Sequence, residues 1–175
     1  KLLKLLLNIG ILQVVLLDGS KVNKKGIVVG VTGGNGFIGK KIIDRLCDEG
    51  IKVISLQKIN TSYSKCETRF FDLSSLDTIN EELSNDINII IHTAALVHKN
   101  KSKSGLYKIM NTDATVKLYD LSIDLEINKF IFLSTVGVYG KTSHASPIDI
   151  EFPTSPKTDY GYSKLWSENY LLNNT

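Results

Sequence analysis

Residues 27–39 read IVVGVTGGNGFIG, and most of what the chain reveals about its architecture begins with this segment. Its first half is an apolar run rich in β-branched residues, which is typical of a buried strand. Its second half places glycines where a strand would turn into a helix. Apolar side chains then recur at helical spacing up to Glu49, and Gly50 stands in the usual place of a helix C-terminus. The segment predicts a strand, a tight turn and a helix in succession.

The same alternation of strand-like and helix-like segments continues along the chain. We expect further strands at 53–56, 68–71, 88–91 and 129–133, helices at 76–83, 105–125 and 160–172, and a loop at 137–158 that contains all three prolines. Apolar strands separated by helices are typical of a parallel sheet that is covered on both faces. Right-handed crossovers then give an α/β fold with a doubly wound parallel sheet. Because no strand follows the last helix, we expect the sheet to be incomplete on its C-terminal side.

Composition indicates an ordinary globular domain. The chain has 175 residues, of which 42% are hydrophobic and 22% are charged, and its net charge is +3. Lysines are scattered and form no basic run with aromatic residues, so we expect no nucleic-acid partner. Cysteines and histidines show no metal-ligand spacing, so we expect no metal. Two free thiols are typical of a protein from a reducing cytoplasm.

Residues 1–24 do not follow this pattern. Residues 2–17 are mostly apolar, but a membrane span needs about 20 apolar residues, and no small-residue cleavage site follows. We interpret 1–24 as an N-terminal apolar extension, either sequence foreign to the domain or a local packing extension. An anchor at a membrane surface is a further alternative.

The glycine loop predicts a dinucleotide-binding site. Glycines between a strand and a helix allow a tight turn and a close approach of the backbone to a pyrophosphate. The N-terminus of the helix adds free N–H groups and the positive end of the helix dipole. A tight turn without a ligand is the alternative. We expect NAD or NADP to bind at Gly33, Gly36, Phe37, Ile38 and Gly39.

The end of the second strand leaves the choice between NAD and NADP open. An acidic residue there binds the ribose 2′-hydroxyl of NAD and repels the 2′-phosphate of NADP. Gln57 holds that position and Lys58 follows it. Lys58 is either a contact for a 2′-phosphate or an ordinary surface lysine, so both cofactors remain candidates.

Three motifs carry a resemblance to a known family. Residues 32–39, TGGNGFIG, resemble the glycine motif of the short-chain dehydrogenase/reductase superfamily, and residues 160–164, YGYSK, match its Tyr-x-x-x-Lys active-site motif. Residues 132–140, FLSTVGVYG, are similar to its extended branch, the NAD-dependent epimerase/dehydratase family. The resemblance covers residues 25–175 and implies a Rossmann-type NAD(P)-binding domain. The family also has a smaller substrate domain, which we expect to lie outside the residues of this sequence.

The resemblance implies catalytic roles for Thr135, Tyr160 and Lys164. Tyr160 would act as general base and later as acid, although a free tyrosine has a pKa of about 10. Lys164 lies four residues later, so both side chains project from one face of a helix. Lys164 would lower the pKa of Tyr160 and hold the nicotinamide ribose, and Thr135 would hydrogen-bond the reacting sugar oxygen. An exposed Tyr–Lys pair at a helix start is the alternative.

The family pattern implies further cofactor contacts. They are Asp72 and Leu73 near the adenine, Ala94 and Ala95 after the fourth strand, and Asn111 in the long helix. Asp72 has an alternative reading as a cap or turn residue, and the neighbouring His92 fits a satisfied core histidine better than a functional one. For Asn111 the two readings are balanced, because asparagine is disfavoured in the middle of a helix.

The implied reaction is epimerisation of a nucleotide sugar through a transient keto intermediate. Dehydratases of the family place an Asp-Glu pair after the catalytic threonine, whereas Val136 and Gly137 follow Thr135 here. An NADP-dependent carbonyl reductase and a non-catalytic dinucleotide-sensing module are the alternatives. The resemblance further implies a nucleotide-sugar substrate and a homodimer as the candidate assembly. From the thiols and the short apolar segment we expect a cytoplasmic protein without a membrane partner.

Overall fold

The computed structural model describes residues 26–58, 65–75, 83–84, 86–97, 105–140, 148 and 151–174. The apolar segment 2–17 lies outside these ranges, as does the expected helix at 76–83 except for its last residue. Among the described residues, no helix combines the length and the apolar character that a membrane span requires.

Five parallel strands form one sheet in the order β3-β2-β1-β4-β5. The strands are β1 (Val28–Thr32), β2 (Lys52–Gln57), β3 (Glu67–Phe70), β4 (Ile89–His92) and β5 (Lys129–Phe132). Strand β1 lies at the centre, with β2 on one side and β4 on the other. This order confirms the predicted doubly wound parallel sheet, and each predicted strand is present to within one or two residues at its ends.

The helices begin and end close to the predicted residues, with one irregularity. They are α1 (Phe37–Asp48), α2 (Gly105–Tyr107), α3 (Ala114–Asp124) and α4 (Asp159–Asn173). A π-helical segment, Lys108–Asp113, joins α2 to α3, so the expected helix at 105–125 is not regular throughout. This wider turn coincides with the buried side chains of Asn111 and Thr112, which bond to groups outside the helix.

The sheet has an apolar layer on each face, because alternate residues of a strand point to opposite sides. On one face, α1 packs against β1 and β2. The apolar layer on this face contains Val29, Val31, Ile42, Ile43, Leu46, Val53, Ile91 and Ile131. On the other face the layer contains Ile54, Leu56, Ile90, Leu118, Tyr119, Phe130, Phe132 and Leu171. Each fully buried aliphatic side chain contributes about 1.5–3 kcal/mol, so these layers hold the carboxyl ends of the strands in fixed positions.

The predicted loop at 137–158 starts with a short helical turn, Val136–Tyr139. Gly140, with a φ of +77°, ends the turn. The N–H of Ser155 then donates to the carbonyl of Val138, at 2.9 Å. The sequence predicts a loop here because the segment contains all three prolines of the chain. The turn forms because the Thr135 hydroxyl accepts a hydrogen bond from the N–H of Gly137, at 3.1 Å, and so caps it.

Candidate active site

The glycine loop closes tightly against the carboxyl edge of the sheet. Gly33 has a φ of +67°, and a Cβ at this position would lie 2.9 Å from the backbone of Ala94. Its N–H donates to the carbonyl of Leu56, at 2.9 Å. A Cβ at Gly39 would overlap the carbonyl oxygen of Gly33. Both positions require glycine, because only glycine lets the first turn of α1 lie directly on the loop.

Gly36 differs from these two glycines because it is exposed. A Cβ at Gly36 would meet only the carbonyl oxygen of Gly33, at 3.1 Å. Gly36 is also the N-cap of α1, and no side chain caps the first N–H groups of that helix. An exposed backbone at an uncapped helix N-terminus suits an anionic group such as a pyrophosphate.

A cleft of about 490 Å³ runs from this loop along the carboxyl ends of β1, β2 and β4. Eleven of the predicted cofactor contacts line it: Gly33, Gly36, Phe37, Ile38, Gly39, Gln57, Lys58, Asp72, Leu73, Ala94 and Ala95. The cleft is also lined by residues that the sequence motifs do not identify as individual cofactor contacts: Asn35, Leu56, Phe71, Thr93, Leu96, Val97 and Met110. Most of these residues are apolar. The only signal in the sequence for a place in the cleft is that several of them adjoin a predicted cofactor contact.

Lys58 and Asp72 form an ion pair at the far end of the cleft. The Nζ of Lys58 lies 2.8 Å from Oδ2 of Asp72 and 3.1 Å from the Ser74 hydroxyl. Oδ1 of Asp72 accepts from the N–H and the hydroxyl of Ser74, at 2.8 and 2.6 Å. Burial acts to raise the pKa of Asp72, but the hydrogen bonds from Lys58 and Ser74 outweigh it, so the pKa lies below its usual value. Lys58 is therefore engaged by a carboxylate, which the sequence alone could not indicate.

Gln57 turns its side chain away from solvent. It is buried, and its Oε1 accepts from the Ser55 hydroxyl, at 3.2 Å. Its carbonyl accepts from the N–H of Phe71, at 2.9 Å. Gln57 thus lines the cleft from a position held by one contact within β2 and one with the residue that follows β3.

Asn111 lies behind the wall of the cleft and does not line it. Its Oδ1 accepts from the N–H of Leu96, at 2.7 Å, and its Nδ2 donates to the carbonyl of the same residue, at 3.0 Å. Nδ2 also donates to the Ser163 hydroxyl, at 3.0 Å. Asn111 therefore holds the segment at 93–97, which does line the cleft, and ties it to α4 beside Lys164.

His92 is a core histidine whose ring nitrogens are both satisfied, as the sequence analysis favoured. Nδ1 lies 2.6 Å from the Thr32 hydroxyl, and Nε2 lies 3.0 Å from the Thr115 hydroxyl. Because Thr115 gives its only proton to the carbonyl of Asn111, at 2.5 Å, it accepts from His92, which assigns the proton to Nε2. Burial, helped by the charge of Lys164, lowers the pKa of His92 to about 3.

Tyr160 and Thr135 meet at the end of β5. Thr135 follows that strand, and Tyr160 stands in the first turn of α4. Burial raises the pKa of Tyr160 above its usual value, and a side-chain hydrogen bond with Thr135 acts in the opposite direction. Since the Thr135 oxygen already accepts from Gly137, its hydroxyl proton is free to be donated to the phenol oxygen.

Gly161 is what lets α4 come close enough for this contact. A Cβ there would lie 2.9 Å from the carbonyl oxygen of Gly137 and 3.0 Å from Pro156. The helix is capped by Thr158, whose hydroxyl accepts from the N–H of Gly161, at 3.0 Å. Tyr162, the other tyrosine of the motif, points outward beside Trp166.

Lys164 is buried, with only 2% of its surface exposed. Its Nζ lies 3.8 Å from the centre of the Phe132 ring, which favours the ammonium through a cation–π contact. Burial lowers the pKa of Lys164 to about 7, against the opposing charge of Glu168. In this arrangement the charge of Lys164 acts to lower the pKa of His92 and the pKa of Glu168.

Glu168 and Ser134 form a buried pair that sequence reasoning missed. The Ser134 hydroxyl donates to Oε1 of Glu168. The available signal was spacing: Glu168 lies four residues after Lys164, as Lys164 lies four after Tyr160, so the three share one face of α4. Ser134 gave no such signal, because its partner comes from a distant part of the chain.

Residues 29–174 match the sequence model of the NAD dependent epimerase/dehydratase family. The chain belongs to this family. The match covers the glycine loop, the cleft, Thr135 and the Tyr-x-x-x-Lys motif, and it confirms the resemblance drawn from the motifs.

Individual relatives agree with this membership. The chain is 33% identical over 154 residues to a sterol-4-alpha-carboxylate 3-dehydrogenase, decarboxylating, of Dictyostelium discoideum, covering 81% of this chain and 46% of that protein. It is 28% identical over 149 residues to the UDP-glucose 4-epimerase of Vibrio cholerae, covering 81% of this chain and 45% of that protein. The chain thus spans about half the length of the curated relatives that it matches.

A solved structure supports the fold in the same way. MoeE5, in complex with UDP-glucose and NAD, is 27% identical and superposes with a TM-score of 0.73, covering 85% of this chain and 48% of that chain.

Proposed function

We propose that residues 25–175 form the NAD(P)-binding and catalytic domain of an epimerase that acts on a nucleotide sugar through a transient keto intermediate. The observation that carries the proposal is the placement of Thr135, Tyr160 and Lys164 together: Tyr160 and Lys164 lie one turn apart on α4, and Thr135 lies close enough to Tyr160 to act on its pKa. All three lie at the carboxyl edge of a sheet that also carries the glycine-loop cleft. In this proposal a sugar-binding domain of the family type supplies the substrate specificity.

The residues that line the cleft fit a dinucleotide. Gly36 and the uncapped start of α1 suit the pyrophosphate, and the segment with Asp72 and Leu73 suits the adenosine end. MoeE5 binds NAD and UDP-glucose, which supports both the cofactor and the substrate class. The pairing of Lys58 with Asp72 favours NAD over NADP, because the Asp72 carboxylate balances the lysine charge that would otherwise attract a 2′-phosphate.

When bound, a nicotinamide cofactor accepts hydride from a sugar carbon and returns it to the opposite face. Tyr160 would take the hydroxyl proton from that carbon and give it back on return. Thr135 would donate its one hydroxyl proton to the same sugar oxygen. Lys164, whose pKa of about 7 lets it carry charge near neutral pH, would stabilise the phenolate.

A net oxidoreductase is the second candidate. The relative that is 33% identical is a dehydrogenase by name, and the same three catalytic residues would serve it. An epimerase recycles its cofactor, whereas a dehydrogenase or reductase changes the redox state of one cofactor for each product. A non-catalytic dinucleotide sensor would bind the cofactor and form no product.

The test is to incubate the full-length natural protein with UDP-glucose and a trace of NAD, and to follow both UDP-galactose formation and absorbance of NADH. We expect product without net NADH, and a loss of about 10²–10⁴-fold in kcat for Tyr160→Phe. Tyr162→Phe is the matched control, because Tyr162 points outward from the same helix. Stoichiometric NADH would favour the second candidate, and Tyr160→Phe acting like its control would contradict the catalytic assignment.

We also propose a cytoplasmic homodimer. Tyr162 and Trp166 are 45% and 50% exposed on α4 and contact each other, with ring centres 6.3 Å apart, which gives a partner helix an aromatic surface to cover. Sedimentation should find a dimer for the natural protein and a monomer for Trp166→Glu; a monomer for both would contradict the proposal.

A further inference from the structure

Glu168 is a buried acid that the proposed mechanism does not use. Only 2% of its surface is exposed, and its carboxylate accepts from the Ser134 hydroxyl. Ser134 directly precedes Thr135. The bond therefore joins the helix that carries Tyr160 and Lys164 to the strand end that carries Thr135.

Among the residues that the structure describes, one acidic group and several neutral groups surround Lys164. Glu168 faces it from the next turn of α4, and Tyr160 lies one turn before it. His92 approaches from β4, and its pKa of about 3 keeps it neutral near pH 7. From β5, Phe132 presents its ring face at 3.8 Å. A buried ammonium is costly unless a charge compensates it. The negative charge of Glu168 does this and acts to raise the pKa of Lys164.

We propose that Glu168 is a positioning residue that keeps Lys164 protonated in its buried place and, through Ser134, fixes this charge against the strand end that carries Thr135. The importance of this role for catalysis rests on the proposed function. The link between the two charges is a property of the folded chain and can be measured without cofactor.

Removing the carboxylate of Glu168 should lower the pKa of Lys164. Burial lowers the pKa of Lys164 to about 7, and Glu168 opposes that change. Glu168→Gln keeps the size of the side chain and an oxygen that accepts from Ser134, but it removes the charge. The midpoint for loss of the Lys164 proton should fall by about one pH unit, so that Lys164 becomes mostly neutral at pH 7.

The experiment is an NMR titration of the chain labelled with ¹³C at the lysine ε-carbon, without cofactor. The Lys164 signal is assigned by its loss in Lys164→Met. A lower midpoint in Glu168→Gln than in the wild type is the expected result, and an equal or higher midpoint would overturn the proposal. Glu126→Gln, at an exposed position after α3, makes the same change in net charge and should leave the midpoint where it was.

Ser134→Ala keeps the proposal testable if Glu168→Gln does not fold. This variant keeps the carboxylate but removes its hydrogen-bond donor, so the carboxylate is less often charged and the Lys164 midpoint should fall by a smaller amount. An unchanged midpoint would then overturn the proposal. A titration of the same wild-type protein with NADH separates this proposal from the proposed function. If Glu168→Gln lowers the Lys164 midpoint but the wild type does not bind NADH, the proposed function is contradicted and the role of Glu168 stands.

Discussion

The pKa values of the charged side chains at this site depend on a few buried neighbours. Lys164 and Glu168 are both almost completely buried, and each acts on the pKa of the other. Spacing along α4 predicted that Tyr160 and Lys164 share a face, and the structure agrees. Spacing could not predict that Ser134 holds Glu168, because that contact joins residues 34 positions apart.

The stability of the chain should fall in acid partly because of His92. Its pKa in the folded chain is about 3, below the value of about 6.5 expected for an unfolded histidine. The unfolded state therefore binds the additional proton, so the contribution of His92 is present above pH 6.5 and is lost as the pH falls toward 3. The loss should approach about 1.4 kcal/mol for each pH unit.

Urea unfolding of the wild type and of His92→Gln at several pH values between 4 and 7 measures this contribution. We expect the variant to be less stable at pH 7 but to lose less stability as the pH falls. Two parallel pH profiles would contradict the neutral, buried state of His92.

The pairing of Lys58 with Asp72 should influence the choice between NADH and NADPH. Asp72→Asn removes the carboxylate 2.8 Å from the Lys58 ammonium, so the lysine becomes available to a 2′-phosphate. The affinity ratio of NADPH to NADH should rise by up to about fivefold, since exposed ion pairs are worth up to about 1 kcal/mol. Adding Lys58→Ala should reverse the rise; an unchanged ratio in the single variant would show that Lys58 does not reach the 2′ position.

Local elements were predictable where one short segment determines them. The strand, loop and helix around residues 27–49 follow from apolar spacing and glycine placement, and all three are present. The π-helical segment Lys108–Asp113 was not predictable, because it depends on contacts of Asn111 with Leu96 and Ser163. Those partners lie in other elements, so spacing within the helix carries no sign of them.

The packing of α1 on its loop gives a prediction for Gly39→Ala. The new methyl group would overlap the carbonyl oxygen of Gly33, and overpacking of this kind costs about 1–3 kcal/mol. Thermal unfolding should show a lower midpoint, and NADH binding should weaken because the helix N-terminus shifts. Gly105→Ala is the control, since nothing lies within 4 Å of a Cβ there; equal effects of both variants would contradict the close packing.

The whole molecule brings together at one sheet edge residues that are far apart in sequence. The strand order β3-β2-β1-β4-β5 brings the loops after β1, β2 and β4 to one cleft, and the loop after β5 meets α4 near them. Sequence analysis predicted this arrangement because the carboxyl ends of parallel strands share an edge. Eleven of the cofactor contacts that the sequence motifs and the family resemblance imply line the cleft, whereas Asn111 lies behind its wall.

Titration of the purified chain with NADH, followed by nicotinamide fluorescence, tests the dinucleotide cleft most directly. A parallel titration with NADPH measures the selectivity, and circular dichroism checks that the chain is folded. We predict saturable binding of NADH and of NADPH. Binding should be tighter for NADH, because the Asp72 carboxylate already balances the charge of Lys58. Absence of saturable binding to the folded chain would contradict the assignment of the glycine-loop cleft as a dinucleotide site.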